Sequence, residues 1–336
     1  MLLSFIVPVY NTELYLAECL NSLLAQDVSI DDYEIICVND GSTDGSLQIL
    51  REFEISNTNV TVIDKENEGV SIARNIGLSV AKGDYIWFVD SDDLIQCNIL
   101  SELKKSTEES NPDIVDFGSY AFNENLSVAE KQSYLDNSLP VTSYANAVYI
   151  TKSLFKKSFI QDNDVWFNEQ LAYSEDSVFK CQCLINNPQI TIIRKAFYLI
   201  RYRESSATAS KSSQSFQKKF NSWYNATIIF LDLYKKCKTE LKSTFADLLM
   251  SNLWSVLVLL ISLPYSQSKP YFKDLKNKKL FPFKKPVECT LNRSYQTNRD
   301  DIVGKIYDWI YTNTHRKSGL ALMYIWNRIY VIIKKR

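Results

Sequence analysis

The sequence predicts an α/β protein with a mostly parallel sheet flanked by helices and a helical carboxyl-terminal extension. Three observations carry this. Over the first hundred residues, short apolar runs alternate with amphipathic stretches at strand–helix–strand spacing. The apolar runs suit strands covered on both faces, and such units are joined by right-handed crossovers. From about residue 214 the apolar pattern becomes helical.

The elements follow in order. "LSFIVPV" reads as a buried first strand. "TELYLAECLNSLLAQ" follows as a helix with Leu16, Leu20, Leu23 and Leu24 on one face and Thr12 as its N-cap. "YEIICV" is the second strand, and "DGSLQILREF" a helix opened by turn residues. "VTVI" is the third strand. "GVSIARNIGLSVAKG" is a helix carrying Ile72, Ile76 and Val80 inward and stopping at Gly83, and "YIWFV" is the fourth strand. Further on, "PDIVDFGSYAF" reads as a fifth strand, "SEDSVFKCQCLIN" as a helix, and "QITIIRKAFYLIRYR" as one or two strands. The run "LWSVLVLLISL" is too short to cross a bilayer. Residues 266 to 300, rich in Lys, Pro, Asn and Ser, read as an irregular connection. The chain ends in an apolar helix with a basic tip, "NRIYVIIKKR".

The 336 residues are expected to divide into a first domain, 1–210, and a helical region, 211–336. The net charge of -1 conceals a polarity: residues 1–100 carry -13, residues 101–210 carry -3 and residues 211–336 carry +15. The basic end, with its apolar helices, suits peripheral docking on an anionic membrane, or packing as a subdomain on the rest or on a partner chain, with acceptor contacts among its expected roles. No base-reading module supports nucleic acid as a partner. The amino-terminal run breaks at Pro8 and lacks a basic leader, so a cytoplasmic protein is expected, with its seven cysteines reduced.

Ligands of open parallel sheets bind beyond the carboxyl ends of the strands. There this chain places "YNTE", "NDGSTD", "KENEG" and "DSDD", bringing Asn11, Asp40, Asp44, Glu68, Asp90, Asp92 and Asp93 to one edge. Carboxylates that close require a compensating cation. Asp90 and Asp92, two residues apart in an extended segment, face the same way and suit Mg²⁺ or Mn²⁺ carrying a diphosphate. A solvated acidic turn that caps a helix is the alternative. Asp40 stands where a carboxylate could accept the N3 hydrogen of uracil, with Gly41 letting backbone approach a base. Arg74 either pairs with an acid or holds pyrophosphate oxygens.

The motifs "IVPVYN", "VNDGSTDGS", "NEGVSIARNIGL", "VDSDD" and "SEDSVF", in this order over residues 3 to 205, resemble the family 2 glycosyltransferases of the GT-A fold. The resemblance implies an inverting transferase. It would move a sugar from a nucleotide diphosphate sugar, a UDP-sugar in the first instance, to a glycan or lipid-linked glycan acceptor in bacterial surface polysaccharide synthesis. It implies that Pro8, Val9, Tyr10 and Glu13 line the nucleoside pocket, that Asp40 reads the base and that Arg74 lies near the diphosphate. Asp90, with Ser91 beside it, would serve the ribose, and Asp92 would ligate the Mn²⁺ or Mg²⁺. Asp176 would be the general base with Glu175 as its neighbour, and Arg203 would belong to a loop closing over the diphosphate. Some members add a histidine to the metal shell, whereas the only histidine here is His315. Members often carry Gly before the Glu-Asp pair, where this chain has Ser174. The competing readings are a sugar-nucleotide nucleotidyltransferase and a non-catalytic sugar-nucleotide-binding scaffold. The first would carry a glycine-rich basic loop after strand one, and "PVYNTELYL" has neither glycine nor Lys/Arg.

Overall fold

The run LSFIVPV forms β1 (Leu3–Val9), buried along its whole length because sheet neighbours and helices cover both faces. In this computed structural model, residues 2–123, 149–202, 213–263 and 265–278 are described. The next strands are β2 (Tyr33–Asp40), β3 (Val60–Lys65) and β4 (Tyr85–Phe88), all parallel to their partners in the order β3-β2-β1-β4. Between them run α1 (Glu13–Leu24), α2 (Ser46–Ser56) and α3 (Val70–Val80).

Beyond β4 the sheet becomes mixed. The remaining elements are β5 (Leu94–Ile95), α4 (Leu100–Ser110), β6 (Ile114–Asn123), β7 (Ser153–Lys156), α5 (Lys157–Asp162), α6 (Glu175–Ile185) and β8 (Ile190–Tyr202). The sheet continues β4-β7-β6-β8-β5, with β7 antiparallel to both neighbours and β5 antiparallel to β8. The short segment between β4 and β5 therefore reaches from the middle of the sheet to its far edge. That segment is the acidic one.

Alternating side chains of the strands feed two cores. Phe5, Trp87, Phe117 and Phe197 pack with Leu16, Leu20 and Leu23 on one face. Ile6, Ile36, Phe88, Phe155, Phe167 and Phe179 pack on the other. Each such aromatic contributes about 1.5–3 kcal/mol by leaving water.

The predicted inward face of α3 is corrected. Ala73, Arg74, Gly77 and Leu78 are buried, and Ile76 packs half-buried against the core as expected, whereas Val80 is 44% exposed and Ile72 is half-buried. The helix lies so close to β1 that a Cβ on Gly77 would come within 2.5 Å of Ile6. Gly77 therefore takes the point of closest approach to the strand, and Ile72 is left beside the segment that packs over the helix.

Buried Glu34 fastens the lower edge of the sheet by accepting from the Ser4 hydroxyl at 2.6 Å and the Lys82 amide at 2.6 Å. At Gly83 an added Cβ would lie 2.5 Å from the Ser4 nitrogen and 2.6 Å from the Leu3 carbonyl carbon. Backbone cannot yield as a flexible side chain does. Gly83→Ala is expected to lower stability by about 1–3 kcal/mol, read as a shift in the urea midpoint at constant m.

The chain divides into two units, Met1–Ser215 and Phe216–Arg336. The helical stretch comprises α7 (Ser213–Lys236), α8 (Lys242–Ser262) and α9 (Tyr265–Asn277). The expectation of an irregular connection is corrected over 265–277, where α9 forms despite Pro270. Phe272 and Leu275 give it an apolar anchor, and Tyr224 of α7 donates to Asp274. The predicted terminal helix with its basic tip lies outside the described residues, as do Arg203, His315 and Cys289. No disulfide joins any of the six described cysteines. No helix among the described residues is long and apolar enough to cross a membrane.

Candidate active site

The crevice opens where β1 and β4 part. Their ladder ends at Ile6 and Phe88, and the last bond runs from the Val89 amide to the Ile6 carbonyl at 3.0 Å. Pro8 turns the same way as Ile6, toward a strand that has already left, so its missing N–H leaves no gap in the ladder. Val9 is wholly buried in the core, so its side chain is not a pocket wall, which corrects that assignment. Tyr10, the next residue, is 49% exposed at the rim.

The exits of β1 and β2 are laced together. Asn11, in the left-handed region at φ 53°, accepts from the Thr43 amide at 2.7 Å. Glu13 accepts from the Gly45 amide at 2.6 Å, while Asp44 accepts from the amides of Glu13 and Ser46 at 3.1 and 3.0 Å. Although burial works against it, these bonds and that from the Ser46 side chain hold Asp44 below the usual carboxylate range. Thr12 makes no side-chain cap and donates instead to Ser91 at 3.1 Å. The amide at the start of α1 is satisfied by Asp44 from another segment, which local sequence could not reveal. Glu13 thus ties two loops together at the rim.

Asp40 ends β2 with a nearly buried carboxylate. Oδ1 accepts from Lys65 Nζ at 2.6 Å and the Glu68 amide at 2.9 Å, and Oδ2 from the Gly69 amide at 2.9 Å. Three of its roughly four acceptor positions are spent on the turn that leads into α3. Gly41 sits at φ 68°, and a Cβ there would meet the Asn67 nitrogen at 2.7 Å. The close approach expected at Gly41 is made by Asn67.

In the acidic segment the three aspartates separate. Asp93 is buried, accepting from Tyr198 at 2.8 Å and the Arg201 amide at 2.7 Å. Burial, then Asp90 and Asp92, push it well above the carboxylate range. It does not stand at the mouth as expected, but anchors the segment to β8. Arg201 also donates to the Asp92 carbonyl at 2.9 Å and pairs with Glu18 at 2.6 Å. Asp90 keeps a side chain 38% exposed, and Asp92 is half-buried.

The remaining compensation comes from Arg74. Its side chain is 4% exposed and pairs with Asp90 at 2.9 Å, Glu175 at 3.0 Å and Asp176 at 2.7 Å, and its guanidinium carbon lies 5.3 Å from the centre of the Phe167 ring. Of the two readings of Arg74, the structure holds the pairing with acids. One cation therefore gathers three carboxylates from β4's exit and from the start of α6. Burial raises the Asp176 pKa well above the usual range, with Glu175 and Asp90 adding to the rise against the opposing pull of Arg74.

Helix α6 is held at both ends of this arrangement. Ser174 enters it at φ 65°, in the left-handed region that favours glycine. One turn beyond Asp176, buried Lys180 pairs with Asp116 of β6 at 2.8 Å. Lys180, Tyr198 and Arg201 were not singled out in the sequence. For Tyr198 and Arg201 the signal available was the acid excess of the first hundred residues, which calls for donors from later in the chain; Lys180 serves Asp116 and carried no such signal.

Among the described residues, no group of three or more His, Cys, Asp and Glu is arranged to hold a metal unaided. The oxygen donors Asp92 and Asp90 fit a divalent cation that takes the rest of its shell from phosphate and water. The edge thus brings a carboxylate with a raised pKa together with hard oxygen donors.

The profile of Glycosyl transferase family 2 matches residues 4–168. Glycosyltransferase GlyG of Streptococcus pneumoniae serotype 4 is 32% identical over 222 residues, covering 61% of this chain and 72% of GlyG. The uncharacterized glycosyltransferase EpsJ of Bacillus subtilis is 29% identical over 259 residues, covering 71% of this chain and 73% of EpsJ. The chain also resembles the crystal structure of Staphylococcus aureus TarS 1-349 in complex with UDP-GlcNAc. The TM-score is 0.61 over 79% of this chain and 74% of that one, and at 24% identity the likeness is one of fold, the GT-A arrangement. The matched region spans 37% of the length of the poly(ribitol-phosphate) beta-N-acetylglucosaminyltransferase TarS.

Proposed function

Because this chain belongs to glycosyl transferase family 2, we propose that it transfers a sugar from a UDP-sugar, with inversion, to a hydroxyl of a glycan or lipid-linked glycan in surface polysaccharide synthesis. The observation that carries this reading is the clasp of Arg74 on Asp90, Glu175 and Asp176 beside Asp92, at the carboxyl edge of the parallel strands.

Asp176 accepts the proton of the acceptor hydroxyl. The acceptor oxygen bonds to the anomeric carbon as the bond to the diphosphate oxygen breaks, and UDP leaves with the electron pair. Attack on the face opposite the leaving group needs one base and no covalent enzyme intermediate, hence inversion. A raised pKa makes Asp176 a stronger proton acceptor than an ordinary carboxylate, and Glu175 fixes its place. Pro8, Tyr10 and Asp40 border the nucleoside, and Asp90 and Ser91 border the ribose. Mn²⁺ or Mg²⁺, held by Asp92 and the diphosphate, would offset charge on the leaving oxygen.

The test is UDP binding by calorimetry, with Mn²⁺ and with chelator. The wild type is expected to lose at least about tenfold in affinity when the metal is removed. Asp92→Ala is expected to bind equally weakly in both. Equal metal dependence in wild type and variant would remove Asp92 from the role. UDP release from a panel of UDP-sugars with Mn²⁺ tests the reaction, and tight binding without turnover on any donor would favour a scaffold.

A further inference from the structure

A groove of about 530 Å³ lies on the outer side of α3, between the helix and residues 166–170. Its size is that of a small-ligand site. It is separate from the acidic edge yet shares one wall with it. The Phe167 ring sits beneath Arg74 and stacks on Phe179 at 4.2 Å, while Phe167 also lines the groove. Arg74 and Asn75, neighbours on α3, thus serve the carboxylates and the groove respectively.

The groove is built firmly. Asn75 clamps the Phe167 backbone, accepting from its amide at 2.9 Å and donating to its carbonyl at 3.0 Å. Trp166 is 39% exposed, and its indole N–H is pinned to Asp164 at 2.9 Å. A large ring is therefore held in one orientation at the groove while remaining open to water, an arrangement that burial alone does not reward.

Around it stand Glu169, Gln170 and Asn168, whose carboxylate and amides present both donors and acceptors. Among the described residues no Lys or Arg lines the groove, so no cation is there to draw a phosphate. A flat apolar face beside amides and an acid fits an uncharged polyhydroxylated ring, with its C–H face on the indole and its hydroxyls on Glu169 and Gln170. We propose that this groove is a subsite for a neutral pyranose unit of the acceptor glycan, beyond the unit that receives the sugar. The inference rests on the glycosyl-transfer reading. Residues 166–170 precede Glu175 and Asp176 by only a few positions, and Phe167 lies against the Arg74 that pairs with both acids, so a chain with one unit at Asp176 can lay a further unit along this wall.

The test compares wild type, Trp166→Ala and Glu169→Gln. UDP release without acceptor is measured first, then transfer to β-linked glucose and N-acetylglucosamine oligomers of two and six units. Both variants are expected to keep acceptor-free UDP release. Each should raise KM for the longer oligomer about tenfold, leaving kcat and the shorter oligomer's KM unchanged. An equal change at both lengths, no change at either, or no length preference in the wild type overturns the subsite while leaving acceptor-free UDP release to stand for the transferase reading. Absence of UDP release in the wild type would instead count against that reading. Saturation-transfer NMR of the hexamers then decides the groove alone. A sugar-ring signal seen with the wild type and abolished by Trp166→Ala supports it, and a signal absent in the wild type or undiminished in the variant overturns it.

Discussion

Asp176→Asn is expected to lower transfer by about 10²- to 10⁴-fold while leaving UDP affinity within about twofold. The amide keeps the shape of the carboxylate and can still face Arg74 at the position where Asp176 now lies 2.7 Å away, but it cannot take the acceptor's proton. In the wild type, burial and the neighbouring acids raise the Asp176 pKa. The rate should therefore climb with pH along a limb lying above the ordinary aspartate value of about 3.9. The variant's residual rate should lack that limb. Stopped-time assays of UDP release with a saturating acceptor, across pH, give both readouts. Undiminished transfer by the asparagine variant would assign the base elsewhere.

Arg74→Met is the second large effect, and it acts on stability as well as rate. Methionine keeps an unbranched apolar stem but loses the guanidinium that lies over the Phe167 ring, and Asp90, Glu175 and Asp176 lose their common partner. Removing one side of a buried ion pair costs about 3–5 kcal/mol, and the lower end applies because Asp90 is more than a third exposed and keeps some hydration. The sign with pH is definite. Asp176, already raised by burial, rises further without the arginine, so the folded state binds its proton more tightly than the unfolded chain. The destabilisation is then largest above the folded pKa and shrinks as pH falls toward the unfolded value. Urea unfolding of both proteins at neutral pH and near pH 5 should show the gap narrowing. A gap independent of pH would mean that the loss comes from packing.

Much of this site was legible because its signals are local. Strand ends marked by Asn11, Asp40, Asp90 and Asp92, and the Glu175–Asp176 pair at a helix start, follow from short-range periodicity and turn chemistry. What failed was what depends on distant neighbours. Thr12 has the composition of an N-cap, yet the cap comes from Asp44. Ile72, Ile76 and Val80 make an apolar stripe, yet only Ile76 packs against the core, and the buried face turns instead on Ala73, Arg74, Gly77 and Leu78. Asp93 is chemically the same as Asp90 and Asp92, and only its position opposite Tyr198 and Arg201 makes it an anchor.

By itself the amino-acid order determined that parallel strands would alternate with helices and carry acids to one edge, because those properties are set within a few residues of each position. It also determined that its few cations would each have to serve several acids or be supplemented from later in the chain, since the first hundred residues carry -13. Only the tertiary structure decided which cations those are. Arg74 meets Asp176 across 102 positions, and Arg201 pairs with Glu18 across 183 while donating to the Asp92 backbone carbonyl across 109, contacts that exist because the strand order brings the exit of β4 to both α6 and β8. Strand order is a global property of the packed chain, and no local window contains it.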